Sequence, residues 1–205
     1  LRGDREFGID PAVVSRVCAD IKQGIDLGVT VGMVVGGGNI FRGVQLADAG
    51  ADRVSGDHMG MLATVMNAIA LKMEFEQQEV PVALLSAIPM PSLCEPFSQR
   101  AVRRYTKEGR AIIYAGGTGN PFFTTDTAAA LRACESDSDA LFKATQVDGI
   151  YSDDPKTHPD ATRYEETLQR KEQAQAQQLR SYYEGLLARH MKGGYPGAVQ
   201  VLSIG

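Results

Sequence analysis

The chain has 205 residues, somewhat more than one average domain, and 43% of them are hydrophobic against 22% charged, so a sizeable core is expected and global disorder is excluded. Lys and Arg number 21 against 25 Asp and Glu, a net charge of -4, which excludes a protein built to coat nucleic acid non-specifically but allows a locally basic pocket. Three cysteines, Cys18, Cys94 and Cys134, stand at wide spacings without a C-x-x-C pair, and no apolar run reaches the ~18 residues of a membrane span. The expectation is a soluble protein in a reduced, cytoplasmic setting, with neither nucleic acid nor membrane as partner.

Asp10-Pro11 reads as a helix cap with proline in the first turn, and Val14, Val17, Cys18, Ile21 and Ile25 recur at helical spacing until Gly28. Residues 30–35 form a short β-branched run that ends at Gly36-Gly37-Gly38, the pattern of a buried strand feeding a loop. A helix is expected over about 57–78, with Met59, Leu62, Met66, Ile69 and Met73 on one face turned to the core or to a second subunit; a strand follows at 80–85. A helix near 98–108, a strand at 111–114, a polar loop at 116–125, a helix to about 134 and a strand at 140–144 continue the alternation. Strands alternating with helices of this length imply parallel pairing through crossovers, hence an α/β class. Beyond Leu168 the glutamine-rich stretch suits a solvated helix to about Lys192, broken by Gly193-Gly194 before a last strand over 198–204.

The chemistry concentrates at the strand exits. Gly36-Gly37-Gly38-Asn39 offers backbone N–H groups to an anion, because glycine lets the chain approach closely. It is neither a Walker A loop, since no Gly-Lys pair exists, nor a Rossmann fingerprint, since Phe41 stands where glycine is needed. Arg42 reads as a bidentate phosphate contact or as a surface ion pair. Asp57 reads as a helix cap or as a hydrogen-bond partner for ribose hydroxyls, and His58 receives no role. The second glycine loop, from Gly116 to Asp126, precedes a helix whose first amides suit phosphate, although Thr124, Thr125 or Asp126 also reads as a simple cap. Phe122 and Phe123 of that loop suit a pocket wall or an anchor. In the acidic stretch after Lys143, Tyr151 suits a purine ring, and Thr145 or Asp154 its polar edges.

Four motifs taken together, Gly-Gly-Gly-Asn-Ile-Phe-Arg-Gly (36–43), Gly-Asp-His-Met-Gly-Met-Leu-Ala-Thr (56–64), Gly-Thr-Gly-Asn-Pro-Phe-Phe-Thr-Thr-Asp (117–126) and Lys-Ala-Thr-x-Val-Asp-Gly (143–149), resemble the bacterial UMP kinases of the amino-acid kinase family in order and spacing. The resemblance runs from about Phe7 to Leu168. It implies a three-layer α/β/α sandwich with a mainly parallel sheet, formed by a kinase domain over 1–168, with 169–205 as a divergent helical tail and possible last strand. It also implies transfer of the ATP γ-phosphoryl group to UMP with Mg2+. By motif, Gly37, Asp57, Thr118, Gly119, Asn120, Pro121, Phe122, Phe123, Thr124 and Thr125 would hold UMP, and Gly38, Arg42, Thr145, Tyr151 and Asp154 would hold ATP. Asp126 and Arg42 would serve the reacting centre. A homohexamer, activation by GTP and inhibition by UTP are further implications, with Gly3 to Gly8 resembling the edge of a GTP-responsive region.

Family members open with a strand carrying Lys-Leu-Ser-Gly, and the chain starts after that position, which suggests processing or truncation. The expectation is that these 205 residues alone catalyse poorly, because loss of a central cation costs several kcal/mol of transition-state stabilisation by analogy with other electrostatic deletions. Two other readings stand beside the kinase: a catalytically silent UMP-binding or regulatory subunit, and a kinase acting on a carboxylate or carbamate.

Overall fold

The computed structural model describes residues 1–41, 52–144, 150–152, 158, 160–164 and 199–204. The chain divides into two compact units, Leu1–Lys143 with Pro196–Gly205, and Ala144–Tyr195.

In the first unit, α1 (Pro11–Asp26) begins where Asp10 accepts a hydrogen bond from the Ala12 amide at 2.9 Å, and it ends before Gly28, whose φ of 88° closes the turn. β1 (Thr30–Val35) follows, then α2 (Arg53–Gln77), β2 (Val82–Ser86), the two-residue β3 (Glu95–Pro96), α3 (Gln99–Lys107), β4 (Ala111–Ala115), α4 (Thr125–Glu135), β5 (Ser138–Ala144) and, at the end of the chain, β8 (Val199–Ile204). They form a six-stranded sheet in the order β3-β2-β4-β1-β8-β5. β1 pairs parallel with both β4 and β8, and β2 pairs parallel with both β3 and β4. The last strand predicted from the sequence is therefore present, next to the first.

Alternate residues of the central strands feed opposite faces. Met33, Val35, Leu84 and Ile113 pack with Val14 and Cys18 of α1 and with Val65, Leu71 and Phe75 of α2. Val34, Leu85, Ile112 and Tyr114 pack with Ala101 and Val102 of α3 and with Ala128 and Ala129 of α4. Helices on both faces of a sheet make three layers, as expected. The continuous apolar runs of β2 and β4, buried at every position, are what a strand covered on both faces requires.

At α2 one expectation changes, and of the two readings of the methionine face, core or second subunit, the first falls away. The helix starts at Arg53, one turn before Asp57, and the capping residue is Asp52, whose carboxylate accepts from the Ser55 amide at 2.9 Å. Asp57 thus lies inside the helix and does not cap it. The face turned to the core carries Met61, Val65, Ala68, Leu71 and Phe75, whereas Met59, Leu62, Met66 and Met73 are exposed. The helix has two apolar stripes, and the sheet receives the one interspersed with small residues, which permit close approach.

The second unit contributes a short antiparallel pair, β6 (Ile150–Tyr151) with β7 (Arg163–Tyr164). Ser152 continues it, its amide donating to the Thr162 carbonyl at 3.0 Å. The glutamine-rich helix expected over 169–192 lies outside the described residues.

Candidate functional site

β1 and β4 are parallel neighbours, with Val34 opposite Tyr114, so the loops that follow them leave at the same, carboxyl end of the sheet. That end is where open α/β sheets bind ligands. Both loops then seat on one turn of α2. A Cβ at Gly37 would stand 2.6 Å from the Gly60 carbonyl oxygen, 2.8 Å from Ala63 Cβ and 3.0 Å from the Thr64 nitrogen. Three atoms of one helical turn converge there, and only a hydrogen fits. In the other loop, the Gly116 amide donates to Thr64 Oγ1 at 2.8 Å, and that hydroxyl donates in turn to the Met61 carbonyl at 2.7 Å.

The first loop is further pinned by two amides. Asn67, fully buried on α2, donates from Nδ2 to the Gly36 carbonyl at 2.6 Å and exchanges hydrogen bonds with the side chain of Asn39. Asn39 Nδ2 also donates to the Gly8 carbonyl at 2.8 Å, while the Gly8 amide donates to the Asn39 carbonyl at 2.7 Å. Buried amides need partners, and here they are spent joining the amino-terminal segment, the loop and the helix. The carbonyl of Gly37 is likewise occupied, accepting from the amides of Ile40 and Phe41.

The second loop is built differently. Gly116, Gly117 and Gly119 have φ of 77°, 59° and 79°, and Phe122 a φ of 70°. Asp57 holds this turn from outside: Oδ2 accepts from the Phe122 amide at 2.7 Å and Oδ1 from Arg53 Nε at 2.9 Å. The Phe122 N–H, and secondly the Arg53 guanidinium, lower the Asp57 carboxyl from its ordinary value. Arg53 also stands 5.8 Å from the centre of the Phe122 ring. Thr124 caps α4, accepting from the Thr127 amide at 3.2 Å, so of the capping candidates it is Thr124 that does so. Thr118 and Asn120 bond to each other, and Phe122 and Phe123 are exposed, which leaves their rings available to a ligand. Behind the loop, the buried Arg132 pairs with Glu135, stacks 3.8 Å over the Phe97 ring and points Nη2 at the Gly117 carbonyl, 3.5 Å away.

Asp126 lies in the first turn of α4, and Lys143 Nζ of β5 stands 2.8 Å from its Oδ2, with both side chains about half exposed. The predicted residues Gly37, Asp57, Thr118 to Thr125 and Asp126 are thus gathered around the same strand ends. Gly38 follows Gly37 in the first loop. Arg42, Thr145 and Asp154 lie outside the described residues, and Tyr151 is described through its backbone pairing in β6. His58 is exposed. Sequence reasoning missed Thr64, Asn67, Arg53, Arg132 and Lys143. Asn67 carried the clearest signal, as a polar side chain inside the buried stripe of a helix, and Lys143 carried the next, as the first residue of a quoted motif.

Among the described residues no group of three or more His, Cys, Asp and Glu is arranged to hold a metal ion, and no helix is long and apolar enough to cross a membrane. A sequence model of the amino acid kinase family matches residues 3–203, reaching into β8. A protein named uridylate kinase from Mesorhizobium japonicum is 61% identical over 165 residues, covering 80% of this chain and 69% of the relative. One of the same name from Brucella melitensis is 61% identical over 166 residues, covering 81% and 69%. Among solved structures, UMP kinase from Bacillus anthracis superposes with a TM-score of 0.72 at 35% identity over 80% of this chain and 68% of that one. UMP kinase from Ureaplasma parvum gives 0.69 at 36% identity, over 77% and 67%.

Proposed function

We propose that this chain, which belongs to the amino acid kinase family, transfers the γ-phosphoryl group of ATP to UMP, giving UDP and ADP for pyrimidine nucleotide synthesis in the cytoplasm. The observation that carries the reading is the seating of both glycine loops on one turn of α2 at the carboxyl end of β1 and β4, in a chain so similar to proteins named uridylate kinase. UMP falls to Gly37, Asp57 and the loop Thr118 to Thr125, and ATP to Gly38, Arg42, Thr145, Tyr151 and Asp154. The two phosphates repel, so the work of the protein is positioning and charge neutralisation rather than covalent chemistry. Asp126 has no proton to remove, since a phosphate acceptor is already anionic. Its carboxylate instead orients the Lys143 ammonium, and with Arg42 these groups serve the transferring phosphoryl. Magnesium would arrive on the ATP phosphates and supply further neutralisation, with Asp126 as the protein carboxylate offered to it.

The finer expectations belong to the same reading. The exposed stripe of Met59, Leu62, Met66 and Met73 supports a homo-oligomer, a hexamer by resemblance. Activation by GTP and inhibition by UTP rest on resemblance alone.

The test is ADP release with UMP, with CMP and with no acceptor. UMP-dependent turnover is expected. Substituting Lys143→Met should lower turnover about a hundredfold while leaving the melting temperature within about a degree, because an exposed pair contributes little to stability but a charge at the transition state contributes much. UMP binding without UDP would instead make the chain a silent nucleotide-binding subunit, and phosphorylation of a carboxylate or carbamate would overturn the substrate.

A further inference from the structure

Gly60, Ala63, Thr64 and Asn67 follow one another at the spacing of a single helical face. That face is small and polar where the neighbouring stripe of Met61, Val65, Ala68 and Leu71 is apolar. The Gly60 carbonyl and Ala63 abut Gly37, the Asn67 amide holds Gly36, and the Thr64 hydroxyl holds Gly116. Of these groups, Thr64 alone has its backbone against the first loop and its side chain bonded to the second. Its hydroxyl proton is committed to the Met61 carbonyl one turn back, so its oxygen meets the Gly116 N–H as an acceptor in a fixed direction. The residue is 5% exposed, which keeps water from substituting for either bond.

Gly116 is where the backbone turns. It and Gly117 are consecutive residues at positive φ, so the direction in which the Gly116 N–H points sets where the following amides and Thr118 come to lie. We propose that Thr64 is a positioning residue for the acceptor site: its hydroxyl fixes the second glycine loop at a set distance from the first, and so fixes where the acceptor phosphate sits. This inference rests on the reading of the loops as a UMP site. Thr64 does not itself meet the reacting atoms; it acts through Gly116.

The experiment compares Thr64→Val, which keeps the shape and removes the hydroxyl, with Thr64→Ser, which keeps the hydroxyl. Leu71→Ala, a fully buried core substitution on the same helix, controls for lost stability alone. Thr64→Val is expected to raise the KM for UMP about tenfold, the factor that one lost buried hydrogen bond corresponds to, with the KM for ATP unchanged, and Thr64→Ser to restore it. Amide hydrogen exchange at residues 116–119 should quicken in Thr64→Val, return in Thr64→Ser and stay slow in Leu71→Ala. An equal rise in both KM values, a failure of serine to rescue, or exchange at 116–119 that follows overall stability in all three variants would overturn the proposal. The exchange arm needs no substrate. A chain that ignores UMP would therefore sink the proposed function while exchange still decides whether Thr64 is the clamp.

Discussion

At Gly37 a side chain is excluded by what stands opposite it, a helix backbone that cannot retreat; at Gly117 the space is open and it is the backbone's own turn that demands glycine. A Cβ on Gly37 would lie within 3.0 Å of two main-chain atoms of α2, while one on Gly117 would find nothing nearer than Met61 Cγ at 3.7 Å. The partners differ in the same way. The first loop is tied down by the half-buried Asn39 and the buried Asn67, whose side-chain N–H groups are all used within the protein. The second is held at Gly116 by Thr64 and at Phe122 by Asp57, and it presents the exposed rings of Phe122 and Phe123. One glycine loop is a pivot belonging to the core, and the other is a surface prepared for a ligand.

The largest effect expected from this contrast is on stability. Gly37→Ala should cost about 3 kcal/mol, at the upper end of overpacking, because backbone atoms rather than flexible side chains receive the new methyl. In a chain of this length that is a fall of about 6–12 °C in the thermal midpoint. Gly60→Ala, on the other side of the same contact, has open space for its Cβ and lies inside a helix, so it should be neutral or stabilising by up to about 1 kcal/mol. Equal melting curves for the two variants would erase the distinction between pivot and helix.

Next in size is Asp57. Its carboxyl lies below its ordinary value because the Phe122 N–H, and then Arg53, favour the anion. A depressed folded value means that the anchor contributes fully above the ordinary carboxylate value of about 4 and is lost as pH falls through the lowered one. The Phe122 amide resonance should therefore titrate with a midpoint below about 4, and that titration should vanish in Asp57→Asn. At pH 7 this variant should lose about 1 kcal/mol, a figure reduced for the half-exposed Arg53 partner, and the gap from the unsubstituted chain should close toward pH 3. A gap independent of pH would assign the effect to packing.

How far these features could be read in advance follows from where their causes lie along the chain. The limits of α1, β1 and β4 were legible because Asp10-Pro11, Gly28, Gly36 and Gly116 punctuate them locally. The start of α2 was not, since Asp52 and Asp57 are both plausible caps and the group that claims Asp57 is the amide of Phe122, 65 residues away. The exposure of Met59, Leu62, Met66 and Met73 was hidden for a similar reason: the helix carries two apolar stripes, and periodicity alone does not say which one the sheet takes. Lys143 and Asp126 sit in separate motifs, and their 2.8 Å contact arises when β5 comes alongside the start of α4. Thr64 and Asn67 become site residues only because two strands deliver their loops to one helical turn.

The smallest effect, a partial recovery of about 0.5–1 kcal/mol, sharpens the other half of the contrast. Gly117→Ala places a Cβ in ordinary van der Waals surroundings, so its cost is the positive φ alone, about 1–2 kcal/mol. Asparagine tolerates this conformation better than alanine, since its short polar side chain bonds locally. Gly117→Asn should therefore recover roughly half of that loss. The same pair of substitutions at Gly37 should show no recovery, because asparagine is larger than alanine and the obstacle there is a neighbour rather than a dihedral angle. Thermal unfolding of the four variants measures the crossover directly. If asparagine is no better than alanine at Gly117, the second loop is packed as tightly as the first and its openness to a ligand is lost.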